Sequence, residues 1–224
     1  MIPAFPVYLF DIDGTLLDSA EDICGAVQHV LSTTAARLAS FDYLKSFIGF
    51  HLDACFGELL PHYTREQLDE LIQQYRTTYW AREHESTRPY PGVPETLAQL
   101  GGRKSTATTK STATTRLVLE KFGLLRYFDH VQGTDGFPCK PEPDVIVAAL
   151  RALGADPAEC LFIGDSAADM EAGRRAGVKI CAVDYGYGKI DELARWKPDY
   201  SISDPRELCR SRSSRKRFRS TPPP

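Results

Sequence analysis

The chain has 224 residues, 42% hydrophobic and 25% charged, proportions of an ordinary globular protein that exclude wholesale disorder. A formal net charge of −3 gives no general pull toward nucleic acid or an anionic membrane, and no apolar run approaches the ~18 residues that a membrane span needs. Six scattered cysteines without a C-x-x-C pair fit reduced thiols in a cytoplasmic protein, and MIPAFPVYLFDIDG lacks both the basic region and the long apolar core of a secretory signal.

Val7-Tyr8-Leu9-Phe10 is a continuous apolar run that ends abruptly in Asp11-Ile12-Asp13-Gly14-Thr15. It predicts a strand buried on both faces of a parallel sheet, with a polar loop at its carboxyl end. From Ala20 the period changes: Ala20, Ile23, Cys24, Val27, Val30 and Leu31 fall at helical spacing, with Ser19 available as N-cap. Residues 41–60 read as shorter helical pieces around Gly49 and Gly57. Thr64 then stands in capping-box spacing with Gln67, ahead of a helix with Leu68, Leu71, Ile72, Tyr75 and Tyr79 on one face.

Tyr90-Pro91-Gly92-Val93-Pro94 is strong punctuation and marks a boundary, after which strand and helix alternate. Helices are predicted at 95–100, 117–122, 145–153 and 168–176, the last three closed by Gly123, Gly154 and Gly177, and strands at 161–163 and 178–183. Between the first two helices the unit KSTATT is written twice, from Lys104 and from Lys110. Its first copy falls where a strand is needed, and Ser111 in the second offers N-cap chemistry to the following helix; the competing reading is a flexible polar linker. Alternation of this kind implies a parallel, doubly wound sheet that also takes in the first strand, since a lone strand is not stable. The all-helical stretch is then an insertion.

In an open parallel sheet, ligands sit at the carboxyl ends of the strands. Those ends carry Asp11 and Asp13, then Thr108 and Thr109, then Asp165; Lys140, in CKPEPD before a helix start, can reach the same edge, and Asp169 lies one helical turn beyond Asp165. Carboxylates so gathered repel one another unless a cation sits among them, and all-oxygen ligands favour a hard ion such as Mg²⁺. A lysine and a hydroxyl beside that ion suit a dianionic phosphoryl group, and a carboxylate can itself attack phosphorus. The pattern points to phosphoryl transfer. Singly, each residue has a plainer reading: Asp13 as a turn carboxylate, Thr108 as a strand threonine, Lys140 as a solvated lysine before proline.

At these residues the chain resembles the haloacid dehalogenase superfamily. Asp11-Ile12-Asp13-Gly14-Thr15 looks like its first signature, Thr108 its second, Lys140 in KPEPD its third and GDSAAD from Gly164 its fourth, in matching order over residues 7–205. The resemblance implies a Rossmann-like α/β core at 1–16 and 88–209, with a small helical cap inserted at 17–87. It implies that Asp11 is the nucleophile and Asp13 the general acid and base. Mg²⁺ would be held by Asp11, the Asp13 carbonyl and Asp165, supported from outside by Asp169. Thr108 and Thr109 would bind the phosphoryl oxygens, and Lys140 would neutralise charge. A second acid at Asp13 favours phosphate esters over dehalogenation.

The cap's candidate specificity stretch is Phe47-Ile48-Gly49-Phe50, similar to an I-G-x-x-L segment of phosphoglycolate phosphatases and their pyrophosphate-cleaving relatives. Gly49 and Phe50 are therefore expected at the substrate; His51 reads either as a further contact or as a surface histidine. Hinges are expected near 15–19 and 88–92. Thr109 departs from the Asn that relatives often carry, and Cys139 beside Lys140 reads as an inert thiol rather than a redox-sensitive one. The stretch at 210–224, rich in arginine and ending in three prolines, does not look like this family and is expected to be disordered. The function implied is Mg²⁺-dependent hydrolysis of a small phosphomonoester, like 2-phosphoglycolate, through an aspartyl-phosphate. The alternatives are a phosphomutase like β-phosphoglucomutase, a pyrophosphatase with the same site, and a non-catalytic binding protein that uses the basic tail.

Overall fold

The protein is described by a computed structural model covering residues 1–37 and 39–209, so the basic tail at 210–224 lies outside the described residues. The chain opens with β1 (Val7–Phe10), a two-residue β2 (Leu17–Asp18), and the helices α1 (Ala20–Ser32), α2 (Phe41–Lys45), α3 (Leu52–Leu59) and α4 (Arg65–Ala81). After β3 (Arg88–Pro89) come α5 (Val93–Gln99), β4 (Arg103–Thr106), α6 (Thr112–Lys121), α7 (Asp144–Leu153) and β5 (Cys160–Gly164). The chain continues through α8 (Ala167–Arg175), β6 (Lys179–Val183), α9 (Ile190–Arg195) and β7 (Tyr200–Ile202).

Five strands form one parallel sheet in the order β4-β1-β5-β6-β7. Side chains alternate between its faces as the two-residue period of a strand requires. Tyr8, Phe10, Leu161, Ile163, Cys181 and Val183 pack into one core, while Val7, Leu9, Cys160, Phe162, Ile180 and Ala182 pack into the other. Both faces are covered, which is why β1 and β5 are apolar at nearly every position.

The repeat resolves into two unlike pieces. Its first copy contributes to β4, at an edge of the sheet, and its second opens α6, whose N-cap Ser111 accepts a hydrogen bond from the Thr114 N–H. The helix begins at Thr112, five residues before the apolar pattern suggests, because the cap and not the pattern sets its start. A polar edge strand is tolerated because its hydroxyls find backbone partners. Thr106 Oγ1 donates to the Gln132 carbonyl at 2.9 Å and accepts from the Gln132 N–H at 2.8 Å, so the 129–134 segment covers that edge. The linker reading does not hold.

The helices α1 to α4 pack round a core of their own, with Phe56, Tyr75, Tyr79, Val27 and Leu31 at its centre. The Thr64–Gln67 capping box starts α4, whereas Ser19 makes no cap to α1 and donates instead to Asp13. The two chain segments joining this unit to the sheet run side by side as the antiparallel pair β2–β3, with Leu17 opposite Pro89, and the Tyr90 N–H donates to the Leu16 carbonyl at 3.0 Å.

One buried acid fastens the return segment. Asp22 on α1 is 0% exposed and accepts from the Thr87 N–H at 2.8 Å, the Thr87 hydroxyl at 2.7 Å, the Ser86 N–H at 3.1 Å and Arg82 Nε at 3.3 Å. Removing it strands those donors away from water. Asp22→Ala is expected to lower the unfolding free energy by about 3 kcal/mol in urea titrations, with Asp22→Asn intermediate; an unchanged midpoint for the alanine variant would show that the segment is held by other contacts.

Candidate active site

β1 and β5 are neighbours in register, Phe10 opposite Ile163, so the residues that follow them leave the sheet together. The Asp11 N–H donates to the Ile163 carbonyl at 2.9 Å, and just beyond lie Asp165 and, three residues into α8, Asp169. One carboxylate oxygen from each of Asp11, Asp165 and Asp169 lies within 4.8 Å of the others, and the residues are only 2%, 3% and 0% exposed. Lys140 reaches in from the loop before α7, its Nζ 2.7 Å from Asp11 Oδ1, 2.5 Å from Asp169 Oδ1 and 3.2 Å from the Ala107 carbonyl.

Each acid is aimed by a second set of contacts. Asp169 Oδ2 accepts from the Ser166 N–H and hydroxyl, closing a reciprocal capping box that leaves Oδ1 for Lys140. Asp165 accepts from the Tyr187 N–H at 2.8 Å and from the Thr15 hydroxyl at 3.2 Å. Gly14 is needed twice over: its φ of +88° suits glycine, and a Cβ there would collide with the Asp165 carboxylate. Gly186 is confined in the same way, against Asp165 and the Gly14 carbonyl.

Burial pushes the Asp11 carboxyl up to about 6, against the pull of Lys140 and with reinforcement from Asp169. Burial, then Asp169 and Asp11, hold Asp165 well above the usual carboxylate range. Burial works against the Lys140 ammonium too, but Asp11 and Asp169 outweigh it and keep it above its ordinary value. Three acids facing one lysine make a set of hard oxygen donors with unbalanced negative charge, which fits a divalent cation such as Mg²⁺.

Asp13 stands apart from this group. Its carboxylate accepts from the Ser19 hydroxyl at 2.5 Å and pairs with Lys110 Nζ at 3.0 Å, and Asp169 rather than the Asp13 side chain completes the acidic cluster. Lys110 was not singled out by its sequence position, although it lies just two residues past Thr108 in the loop at the end of β4. Burial opposes its charge, but Asp13, Tyr79 and Tyr75 more than compensate and hold it above the ordinary lysine value; its Nζ lies 4.7 Å from the Tyr79 ring centroid. Thr108 is buried, its hydroxyl accepting from the Lys110 N–H at 3.4 Å.

A cavity of about 380 Å³ separates this end of the sheet from the helices, lined by Asp13, Thr109 and Lys110 on one side and by Gly49, Phe50 and Tyr79 on the other. His51 lines it as well, but its Nδ1 accepts from the Asp53 N–H as the N-cap of α3. Cys139, half-buried, is a free thiol.

The raised acids set a pH dependence. Their folded-state values exceed the unfolded value of about 4, so the stability they contribute is fully present below that pH and is lost as pH rises through the raised values, about 6 for Asp11. Without divalent ions, wild-type stability is expected to fall relative to Asp11→Asn between about pH 4 and 7. Millimolar Mg²⁺ should flatten the difference, read as melting temperature; parallel pH profiles for the two proteins would count against the assignment.

A family model for haloacid dehalogenase-like hydrolases matches residues 8–183. A phosphoglycolate phosphatase of Aquifex aeolicus is 34% identical over 208 residues, 91% of this chain and 95% of that protein. Pyrophosphatase PpaX of Halalkalibacterium halodurans is 33% identical, covering 87% of this chain and 90% of its own length. Among solved structures, a predicted phosphatase from Clostridium acetobutylicum superposes with a TM-score of 0.84 at 29% identity, over 92% of this chain and 97% of the other. With a parallel sheet, a signature match across most of its length and relatives at these identities, the chain belongs to the haloacid dehalogenase-like hydrolases.

Proposed function

We propose that the chain is a Mg²⁺-dependent phosphatase acting on a small phosphomonoester that is 2-phosphoglycolate-like in carrying a second anionic group, with residues 17–87 as a cap over a core of 1–16 and 88–209. The observation that carries this reading is the separation of two acids at the end of one strand. Asp11 faces Lys140 and the acidic cluster, and Asp13 faces Lys110 and the cavity. Two carboxylates in such different surroundings suit two different tasks.

In the first half-reaction an Asp11 oxygen attacks phosphorus in line, the bond from phosphorus to the ester oxygen breaks, and Asp13 passes a proton to that oxygen. In the second, Asp13 takes a proton from water as the water oxygen attacks phosphorus, releasing Asp11 and inorganic phosphate. Thr108 and the Thr109 N–H would hold the phosphoryl oxygens, with the Lys140 ammonium beside Asp11 opposing their charge. Asp11, the Asp13 carbonyl and Asp165 would hold Mg²⁺, with Asp169 in support, and the ion would supply further charge neutralisation. The names borne by the Aquifex and Halalkalibacterium relatives support organic phosphate and pyrophosphate as the first substrates to try.

The test is phosphate release from 2-phosphoglycolate with Mg²⁺ and with chelator. Activity is expected only with the metal, and Asp11→Asn is expected to lose at least about a thousandfold; comparable turnover by that variant would remove Asp11 as nucleophile. Asp13→Asn should be far more harmful with an alkyl ester than with 4-nitrophenyl phosphate, whose leaving group departs without a proton. Equal losses on both esters would contradict a general-acid role.

A further inference from the structure

Along α4 the cavity is walled by rings. Tyr75 and Tyr79 stack with centroids 5.7 Å apart and planes 11° from parallel. Trp80 and Phe50 also line the cavity and stay 37% and 49% exposed, which places them at its mouth. Large apolar groups left in water round a concave site are surface for a ligand to cover. Arg76 is exposed among the same lining residues, four positions before Trp80 and so about 6 Å from it along the helix axis. Among the described residues its side chain has neither ion pair nor hydrogen bond. A guanidinium in that position is a receptor for an anion, and its planar fork matches a carboxylate.

Resting on the phosphatase reading, we propose that the substrate is a phosphomonoester whose alcohol has a flat, mainly apolar body ending in a second anionic group. The ester oxygen meets Asp13 at the cavity's inner end, the body covers the exposed rings of Phe50 and Trp80, and the distal anion meets Arg76. A volume of about 380 Å³ falls within the ~300–1,000 Å³ of sites that enclose small organic ligands. Glycolate has no flat apolar body to cover Phe50 and Trp80, and pyrophosphate presents no apolar surface to them.

The full chain with Mg²⁺ is assayed on benzyl phosphate, 4-carboxybenzyl phosphate, 2-phosphoglycolate and pyrophosphate. The highest kcat/KM is expected for 4-carboxybenzyl phosphate, about tenfold above benzyl phosphate and expressed in KM, as one charge-assisted contact provides. Arg76→Gln should abolish that preference, and Trp80→Ala should raise KM for both benzyl esters. Faster turnover of phosphoglycolate or pyrophosphate than of both benzyl esters overturns this inference alone, as does a carboxylate preference that is absent or that Arg76→Gln leaves intact. If no probe releases phosphate, the phosphatase reading falls and the inference falls with it.

Discussion

The structure is organised round a concentration of negative charge that the fold itself creates. Asp11, Asp165 and Asp169 are carried into one buried volume by two adjacent strands and the start of one helix, and a single lysine, Lys140, answers them. Such a cluster costs folding energy wherever its members ionise, as the raised values of Asp11 and Asp165 reflect. A fold retains an arrangement like this where a cation offsets the cost, and the closely fitted glycines at 14 and 186 show that the surroundings are shaped to the Asp165 carboxylate. The sheet serves to hold these groups to within a few ångströms of one another.

The same principle, with the opposite outcome, governs Asp13. It lies two residues from Asp11, yet its partners are a serine from the first connecting segment and a lysine from the β4 loop. Because Lys110 also sits over the Tyr79 ring of α4, the pair joins the edge of the sheet to the wall of the helical unit. Charge thus separates the two acids more effectively than distance along the chain does.

Much of this was legible in the sequence, and the exceptions have physical causes. β1 and β5 stand out because both faces of the sheet are covered, so their residues are apolar throughout and their ends are sharp. Asp11, Asp165, Asp169 and Lys140 could be placed near one another because strand ends in a parallel sheet share an edge. β7, α9 and the β2–β3 pair escaped notice because they are too short to display a period. The roles of Lys110 and Ser19 are illegible for another reason: the contact that gives each its meaning is with Asp13, and a loop lysine or a serine before a helix has an adequate local explanation. Ser19 illustrates the point, since a cap was the economical reading and a tertiary contact displaced it.

Tyr187 shows how the acidic cluster and the helical unit share parts. Its backbone N–H holds Asp165, while its hydroxyl accepts from the Ser19 and Ala20 N–H groups and donates to Asp18, all at the junction of β2 and α1. The ring also carries Lys45 of α2, whose Nζ lies 4.8 Å from its centroid. Asp18 and Ser19 belong to one of the two segments on which the helices connect to the sheet, and Asp22, one turn further along α1, fastens the other. One tyrosine thus serves two places, its backbone N–H at Asp165 and its hydroxyl at the segment that leads into the helices.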